Sequence, residues 1–587
     1  MHVTAGKKPA RWLLVFVVLA MFAAACAGDD EAAPDDVGTD DPAAGAEDTD
    51  AAEDMTDAAE EMTDDPTEAA APAEGGTILF GDEQEPTILN SFLLDGNSLV
   101  TTKVSTNVLP ASYKIQPDFT LAPSLLTGEA EVGEDPFTVT YSIKDEAVWN
   151  DGTPVSADDF VFTYETIVNP DYAEQITSTS GYEDITEFEV VDDKTVTFTF
   201  AEPYAPYRLI FTEILPSHVL EGEDFLTVWN DGQIDPATGE GISAGPFVFN
   251  EWTKGQQISL VANEEYWDGD VAVDELVMRY VGDTTTLSQQ FRGGEITMFD
   301  PQPQIELVET LDGIDTATYQ TAAGPVWEHI DFNGLVPGLD QTFVRQAIAL
   351  GIDRATIVES LIQPIQPEAE TLQNLVYVNN QEEYEPHYDQ WDYDPDAAVA
   401  LLEENGCTRG EGDIFECDGT RLAFRIGTTG GNERRELTQQ LIQDNLSQVG
   451  IEISIENDEG ATFFERLDTP ENCGGVCDFD IALFAWVGSP DPVGSANIWG
   501  CDRPQNWTAY CNEQATELMD TANQTIDEAE RADLFNEADA LMAEEVPILP
   551  LFQQPQFAAW DNSITGPEIN PTNQTIFWNS GAWALTE

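Results

Sequence analysis

A change in composition near residue 75 separates a part of the chain that cannot fold from a part that can. Residues 29–74 consist mostly of Ala, Thr, Pro, Asp and Glu, with nineteen acidic residues and no Lys or Arg. Such a segment cannot bury enough apolar surface to fold, and its like charges repel one another. We therefore predict a disordered acidic tether over residues 26–74 and a folded body from residue 75 onward.

The body mixes the two hydrophobic periodicities. Residues 137–143 alternate strictly between apolar and polar types, which predicts a strand, and residues 188–200 indicate a hairpin with its tip at 192–194. Apolar residues at helical spacing predict helices over 343–362, 437–449 and 526–545. Further signals are a capping-box start at Ser156 and Asp159, a stop at Gly450 and a strand over 451–455. The predicted fold class is α/β, and the 587 residues are enough for two lobes.

The charge of the chain excludes two classes of partner. It carries 112 acidic and 21 basic residues, a formal net charge of −91. Most of this charge belongs to the body, because the tether holds only nineteen of the acids. Nucleic acid and anionic bilayers would be repelled by such a surface, so we expect no nucleic-acid partner and no direct membrane contact by the body.

The N-terminus has the features of an export signal. Basic residues at positions 7, 8 and 11 precede an apolar run over 12–25, which is too short to span a bilayer comfortably. The run ends in AAAC at 23–26 and resembles a bacterial lipobox, with Ala23 where Leu is usual. We predict a lipoprotein signal peptide over 1–25 and a lipid anchor on Cys26, which holds the protein at the outer face of the cytoplasmic membrane. The alternative is an ordinary secretory signal with a nearby cysteine.

Six cysteines remain after Cys26, an even number that indicates disulfides in an exported protein. Six cysteines allow fifteen connectivities. Local pairing is the simplest, and it predicts the three bonds Cys407–Cys417, Cys473–Cys477 and Cys501–Cys511. A metal site is not indicated, because there is no C-x-x-C motif and no closely paired His.

One pattern typical of an enzyme occurs in the body. Residues 241–245 fit G-x-S-x-G, which in hydrolases exposes a nucleophilic serine before a helix. Here Pro246 follows at once and a strand is predicted next, so the helix is missing and a turn before a strand is the plain interpretation of Ser243. The chain has four His in all and no phosphate-binding Gly-rich loop with Lys. We predict a binding protein without catalytic residues, cofactor or metal.

Several segments, in order along the body, resemble extracellular solute-binding proteins of family 5. The family includes the oligopeptide- and dipeptide-binding proteins of ABC importers. The matching segments are GGTILFG (75–81), EPTILN (85–90), WNDGTPVSADDF (149–160), GPF (245–247), NEEYW (263–267), GEI (294–296), VRQAIALGIDR (344–354) and AEEVPILPL (543–551).

The resemblance implies a two-lobed fold with a hinge and a ligand cleft between the lobes. The first lobe would comprise residues 75–283 plus 552–587, and the second lobe residues 284–551. Lobe closure around a small solute, a peptide by the resemblance, would create the form that an importer permease recognises. We expect a monomer.

The resemblance also implies residues that hold the ligand. In peptide-binding relatives a Trp is followed three residues later by an Asp that pairs with the peptide's α-amino group. Here Trp486 matches, Ser489 stands at the Asp position, and Asp491 lies two residues beyond. Either Asp491 replaces the missing carboxylate or the free amine is not bound. Further pocket-facing positions implied by the resemblance are Asn90, Ser91, Phe552, Gln553 and Gln554.

Two other functions remain open from the sequence. A surface sensor or adhesion-type lipoprotein could use the same fold without import. A secreted serine hydrolase would need Ser243 as its nucleophile.

Overall fold

The structure, a computed structural model, describes residues 72–73, 75–467, 478–503 and 505–586. The predicted signal peptide, Cys26, the tether up to residue 71, Cys473 and Cys477 lie outside the described residues. The predictions that concern them therefore stay predictions.

The strands of the described chain have the following bounds: β1 Pro72–Ala73, β2 Thr77–Asp82, β3 Tyr113–Ile115, β4 Leu121–Pro123, β5 Glu131–Glu134, β6 Phe137–Ser142, β7 Ile185–Asp192, β8 Thr195–Phe200, β9 Phe247–Thr253, β10 Gln257–Ala262, β11 Glu275–Tyr280, β12 Met298–Phe299, β13 Ala317–Phe332, β14 Thr408–Arg409, β15 Phe415–Cys417, β16 Thr420–Arg421, β17 Ala423–Gly427, β18 Glu452–Ile455, β19 Ile481–Val487, β20 Ile548–Asp561, β21 Ile564–Thr565 and β22 Ala584–Thr586.

The α-helices are α1 Leu99–Val108, α2 Ala157–Ile167, α3 Ser217–Leu220, α4 Thr284–Gly293, α5 Ile305–Leu311, α6 Thr342–Gly351, α7 Arg354–Leu361, α8 Pro395–Glu404, α9 Glu433–Val449, α10 Gly460–Leu467, α11 Ser495–Trp499, α12 Glu513–Ala522 and α13 Glu528–Glu545. The mixed α/β prediction is confirmed.

Local sequence signals explain several of these elements. Strand β6 alternates between buried and half-buried residues, as its apolar–polar alternation predicts. Helix α2 begins after Ser156, whose backbone N–H donates to Asp159 Oδ2 at 2.9 Å. Helix α9 ends at Gly450, which adopts the left-handed conformation with φ 82° and allows the chain to turn directly into β18. The predicted 343–362 helix is two helices, α6 and α7, because the backbone is extended at Ile352.

A ten-stranded sheet runs through the body in the order β18-β17-β19-β13-β20-β12-β2-β11-β10-β9. Strands β13 and β20 are its longest members and lie antiparallel at its centre. A separate antiparallel sheet, β5-β6-β8-β7, contains the predicted hairpin as β7 and β8.

The buried apolar side chains form two large clusters and two small ones. The first large cluster draws on residues 78–298 and 558–583, and the second on Phe119 and residues 327–552. A small third cluster joins α4 and α5 to Phe557 and Ala559 of β20, and a fourth gathers aromatic rings around Phe484. We call the parts of the chain around the first and third clusters the first lobe, and those around the second and fourth the second lobe. Strands β13 and β20 contribute to both lobes.

Two predicted disulfides are confirmed, and both belong to the second lobe. Cys407 bonds to Cys417 and Cys501 bonds to Cys511, each across a sequence separation of 10. Their short loops fit the local pairing that the spacing predicts.

Candidate ligand-binding site

The pairing of β13 and β20 is interrupted where the chain passes from one lobe to the other. The register shifts between Ala323 and Trp327, so residues 324–326 lie outside the regular ladder. Gly324 lies so close to β20 that a Cβ there would be 2.8 Å from the Gln554 carbonyl oxygen. The two strands therefore approach each other more closely at this point than a side chain at 324 would allow.

Trp486 forms part of an aromatic wall beside this crossing. On β19 it pairs in register with Trp327 of β13. Its ring stacks on Trp507 with centroids 5.4 Å apart and on His329 with centroids 6.2 Å apart. The indole Nε1 is buried and has no hydrogen-bond partner among the described residues. Trp486 is half-buried, so the wall offers an aromatic surface and one unused donor.

The residues after β19 differ in their environment. Ser489 is half-buried, and its carbonyl oxygen accepts a hydrogen bond from Gln381 Nε2 at 3.0 Å. Asp491 is 4% exposed and its Oδ2 lies 2.8 Å from Nη2 of Arg531 on α13. Burial raises the pKa of Asp491 above its usual value, while the charge of Arg531 opposes the shift. The carboxylate that the sequence offers as an ammonium anchor therefore already has a cationic partner.

Asn90 and Ser91 lie in the first lobe and make different kinds of hydrogen bond. The Asn90 amide is fully buried, donates to the Phe225 carbonyl at 3.0 Å and accepts from the Phe92 N–H at 3.3 Å. These contacts give Asn90 a role in fixing its own loop. The Ser91 hydroxyl donates to Glu213 Oε2 at 2.5 Å. Burial raises the pKa of Glu213, and hydrogen bonds from Ser105 and Ser91 oppose the shift.

The three residues of β20 that the resemblance implies as ligand contacts also differ in their surroundings. Phe552 is 1% exposed and belongs to the second cluster. Gln553 is 4% exposed, donates to the Gly324 carbonyl at 2.8 Å and accepts from the Asn379 N–H at 2.9 Å. Both side chains therefore stabilise the segment where β13 and β20 cross between the lobes. Gln554 is half-buried and donates to Glu328 Oε1, so it contacts the carboxylate that pairs with Arg435.

Glu328 and Arg435 form a buried ion pair that the sequence alone did not reveal. Glu328 on β13 is 1% exposed, and Nε of Arg435 lies 2.9 and 3.0 Å from its two carboxylate oxygens. Arg435 lies in the first turn of α9, three residues after Asn432, whose side chain caps the helix by accepting from the Arg435 N–H. The available signal was the ERRE run that follows an Asn cap, because basic residues are scarce in this chain.

Within the described part of the chain, two polar contacts join the lobes, and the sequence did not reveal either of them. Arg208 of the first lobe forms an ion pair with Glu528 at the start of α13. Arg434 of the second lobe donates to the Pro303 carbonyl at 3.3 Å, in the loop between β12 and α5. Residues far apart in sequence make both contacts, so no local pattern could have predicted them.

Ser243 is not placed as a nucleophile. Its side chain is fully buried, and its hydroxyl donates to the carbonyl oxygens of Phe247 at 2.6 Å and Val108 at 2.9 Å. The strand β9 follows it, as expected for a turn before a strand. Because substrate cannot reach a fully buried hydroxyl, the hydrolase hypothesis loses its nucleophile. Among the described residues, no group of three or more His, Cys, Asp or Glu is arranged to hold a metal ion.

Comparison with known proteins gives a consistent result. The family model described as bacterial extracellular solute-binding proteins, family 5, matches residues 120–507. The oligopeptide-binding protein OppA of Mycobacterium tuberculosis is 30% identical over 493 residues, which cover 82% of this chain and 80% of the relative. The oligopeptide-binding protein AppA of Bacillus subtilis is 25% identical over 528 residues, which cover 88% of this chain and 93% of the relative.

Solved structures share the fold. The periplasmic EDTA-binding protein EppA matches with a TM-score of 0.77 and 24% identity, over 88% of this chain and 98% of that protein. The Bacillus subtilis AppA structure in complex with a nonapeptide matches with a TM-score of 0.66 and 24% identity, over 88% of this chain and all of that protein.

The two lobes each have their own hydrophobic core, and the long strands β13 and β20 connect them through one sheet. This is the architecture of a binding protein of the periplasmic type. The chain belongs to the bacterial extracellular solute-binding proteins of family 5. Both the predicted family and the predicted two-lobed fold class are confirmed. None of the helices within residues 72–73, 75–467, 478–503 and 505–586 combines the length and hydrophobicity needed to cross a bilayer.

Proposed function

We propose that this protein captures a small solute between its lobes, a peptide in preference to other solutes, and delivers it to the permease of an ABC importer. The observation that carries the proposal is the pair of crossing strands β13 and β20, beside which Trp486 is half-buried and its indole N–H has no hydrogen-bond partner among the described residues. The oligopeptide-binding names of OppA and AppA support a peptide, and the EDTA-binding EppA shows that the fold also accepts other solutes.

The hinge in this proposal is the interruption in β13 and β20. Residues 324–326 leave the ladder there, and a strand segment with fewer cross-strand hydrogen bonds bends at lower cost. The third cluster packs α4 and α5 against β20 in the first lobe. We therefore place the lobe boundary at 323–327 and 553–555, instead of the 283/284 and 551/552 boundaries expected from the sequence.

A binding experiment tests the capture step. Isothermal titration of the mature protein with peptide mixtures of two to nine residues should show saturable binding. Trp486→Ala should weaken it at least about fivefold, because an aromatic stacking contact contributes about 1–3 kcal/mol. Trp252→Ala is the matched control, since Trp252 lies on β9 of the first lobe and bonds to Glu85. Equal affinities for wild type and Trp486→Ala would remove Trp486 from the site.

A transport experiment separates import from sensing. Loss of the cognate permease should abolish uptake of the bound solute while leaving its affinity for the purified protein unchanged. Uptake that persists without the permease, together with an intact signalling response, would favour the surface-sensor function.

The location of the protein rests on Cys26. A lipid on this residue would hold the body at the outer face of the cytoplasmic membrane, with the acidic tether as a spacer. Cys26→Ala should move the protein from the membrane fraction into the medium, as judged by fractionation and immunoblotting. A Cys26→Ala protein that stays in the membrane fraction would exclude the lipid anchor.

A further inference from the structure

The position of Asp491 bears on which end of a ligand the cleft can hold, and the inference below rests on the proposed function. A buried α-ammonium needs a carboxylate partner, because an unpaired charge in a low-dielectric site is very costly. Near Trp486 the sequence offers Ser489, which has no charge, and Asp491. The free charge of Asp491 therefore decides whether this end of the cleft accepts an ammonium.

Asp491 is neutralised by the protein itself. Its Oδ2 lies 2.8 Å from Nη2 of Arg531, and the two side chains are only 5% and 10% exposed. A buried guanidinium–carboxylate contact at this distance is a charge-assisted hydrogen bond, and the guanidinium keeps its proton. The pair therefore has no net charge to offer a ligand.

A second guanidinium strengthens this balance. Arg208 reaches across from the first lobe to pair with Glu528, one turn before Arg531 on α13. The charge of Arg208 also acts on Asp491. At this contact between the lobes, the charges of Arg208 and Arg531 thus already neutralise two carboxylates, those of Glu528 and Asp491. An incoming ammonium would be a third cation without a partner.

Arg531 does not use the whole hydrogen-bonding capacity of Asp491. Its Oδ1 is buried and has no hydrogen-bond partner of good geometry among the described residues, although a hydrogen bond from the backbone N–H of Val493 helps to lower the pKa of the carboxyl. The Nε1 of Trp486, five residues earlier in the chain, is likewise buried and unpartnered. A buried acceptor and a buried donor without partners are expensive unless a ligand or water satisfies them.

We infer that the ligand meets Asp491 with a neutral donor, an N–H or O–H group, and not with a free α-ammonium. The corresponding ligand class is a peptide held through its backbone amides, or a solute whose end at this position is blocked or uncharged. Arg531 is then the specificity-determining residue, because its charge cancels the attraction that Asp491 would exert on an amine.

The first arm of the test uses peptides. Trialanine and N-acetyltrialanine are titrated into the mature wild-type protein by calorimetry. The inference expects their affinities to agree within about threefold, whereas a buried ammonium anchor would favour the free amine by more than about thirtyfold. Arg531→Gln should convert the protein to a preference of at least about tenfold for the free amine, because Asp491 is then unpaired. A strong preference for the free amine in the wild type would overturn the inference.

If trialanine does not bind, this counts against peptide capture but leaves the inference about Asp491 open. A second arm then tests that inference without a peptide. The melting temperature is measured in methylammonium chloride and in sodium chloride at equal concentration. Only Arg531→Gln should be stabilised more by methylammonium, and the double variant Asp491→Asn/Arg531→Gln should lose the effect. A methylammonium-specific shift in the wild type that Asp491→Asn removes would overturn the inference.

Two further variants cover two other cases: that Arg531→Gln does not fold, and that a different carboxylate binds the ammonium. If Arg531→Gln does not fold, Asp491→Asn in the wild-type background should leave the ratio of trialanine to N-acetyltrialanine affinity unchanged. A fall in that ratio would overturn the inference. Glu213→Gln tests the first lobe, where Ser91 and Ser105 are neutral partners of a carboxylate. An unchanged ratio of trialanine to N-acetyltrialanine affinity in this variant supports the inference, and a fall in that ratio would overturn it.

Discussion

The two lobes neutralise their buried charges in different ways. In the first lobe one cation serves two carboxylates: Lys103 Nζ lies 2.7 Å from Asp82 Oδ2 and 2.6 Å from Asp300 Oδ1, with the lysine side chain 6% exposed. In the second lobe the buried arginines Arg435 and Arg531 each pair with a single carboxylate. The first centre therefore has more carboxyl groups than cations, whereas each second-lobe pair has one of each.

The difference has a consequence for titration near neutral pH. Burial raises the pKa of Asp300 to about 7, with the charge of Asp82 adding to the shift and that of Lys103 opposing it. Burial alone would lower the pKa of Lys103, but the charges of Asp300 and Asp82 raise it. Burial and the second carboxylate thus bring the pKa of Asp300 to about 7, although the cation that the two acids share opposes this shift. The centre joins α1 to the end of β2 and to the residue that follows β12.

Removing the shared cation should have the largest effect on stability. Lys103→Met leaves two buried carboxylates without a cation and should lower the free energy of unfolding by about 3–5 kcal/mol. Urea denaturation at pH 7.5 measures the change. Lys254→Met is the matched control, because Lys254 pairs with Asp231 at the surface, where ion pairs contribute little. Similar midpoints for the two variants would mean that the triad is not a special centre.

The pH dependence of stability tests the unbalanced charge directly. The unfolded chain loses the Asp300 proton near pH 4, while the folded protein keeps it up to about pH 7. The folded state therefore binds more protons in this window, and the contribution of Asp300 makes the free energy of unfolding fall as the pH rises through it. Asp300→Asn should gain about 2–4 kcal/mol relative to wild type between pH 4 and 8.

Urea melts at several pH values provide this measurement for Asp300→Asn and for wild type. Asp231→Asn removes an equal charge from an exposed pair and serves as the control. A constant difference between Asp300→Asn and wild type across the range would argue that Asp300 titrates normally.

Cross-links are a second respect in which the lobes differ, because both described disulfides belong to the second lobe. Each closes a loop with a sequence separation of 10. Replacing Cys407 and Cys417 together by Ala should lower the free energy of unfolding by about 2–3 kcal/mol, since the bond restricts the unfolded chain. The same double replacement at Cys501 and Cys511 should cost a similar amount. If denaturant melts show a decrease in the free energy of unfolding of less than half this amount, the stability of the second lobe comes from packing alone.

The contact between the lobes should give the smallest effect. Arg208→Gln removes the partner of Glu528 and one of the two cations near Asp491. Side chains at this contact are partly exposed, so we expect ligand affinity to fall by about two- to tenfold, a change of up to about 1.4 kcal/mol. Calorimetry measures the affinity, and Lys254→Gln controls for the lost positive charge. Unaltered affinity would show that this ion pair does not favour the closed form.

Local sequence information was sufficient for elements whose determinants lie within a few residues. The alternation in β6, the Ser156 start of α2 and the turn at Gly450 each depend on neighbouring residues, and each was predicted. The two described disulfides were predicted for the same reason, since a short loop keeps its cysteines close in any conformation. One local expectation was wrong: Leu437 was placed on the apolar face of α9 but is 39% exposed, because the buried face of the helix runs through Thr438, Gln439, Ile442, Leu446 and Val449.

The sequence by itself determined the family and the α/β class, because these follow from segments that keep their order and spacing. Only the tertiary structure decided which charges meet. Arg531 lies 40 residues from Asp491 in the numbering, and Lys103 lies 197 from Asp300. Among so many acids, the sequence cannot say which ones receive the few basic side chains. That choice depends on which backbone segments the sheet and its crossing strands bring within hydrogen-bond distance, and it changes Asp491 from a candidate ligand anchor into half of an internal ion pair.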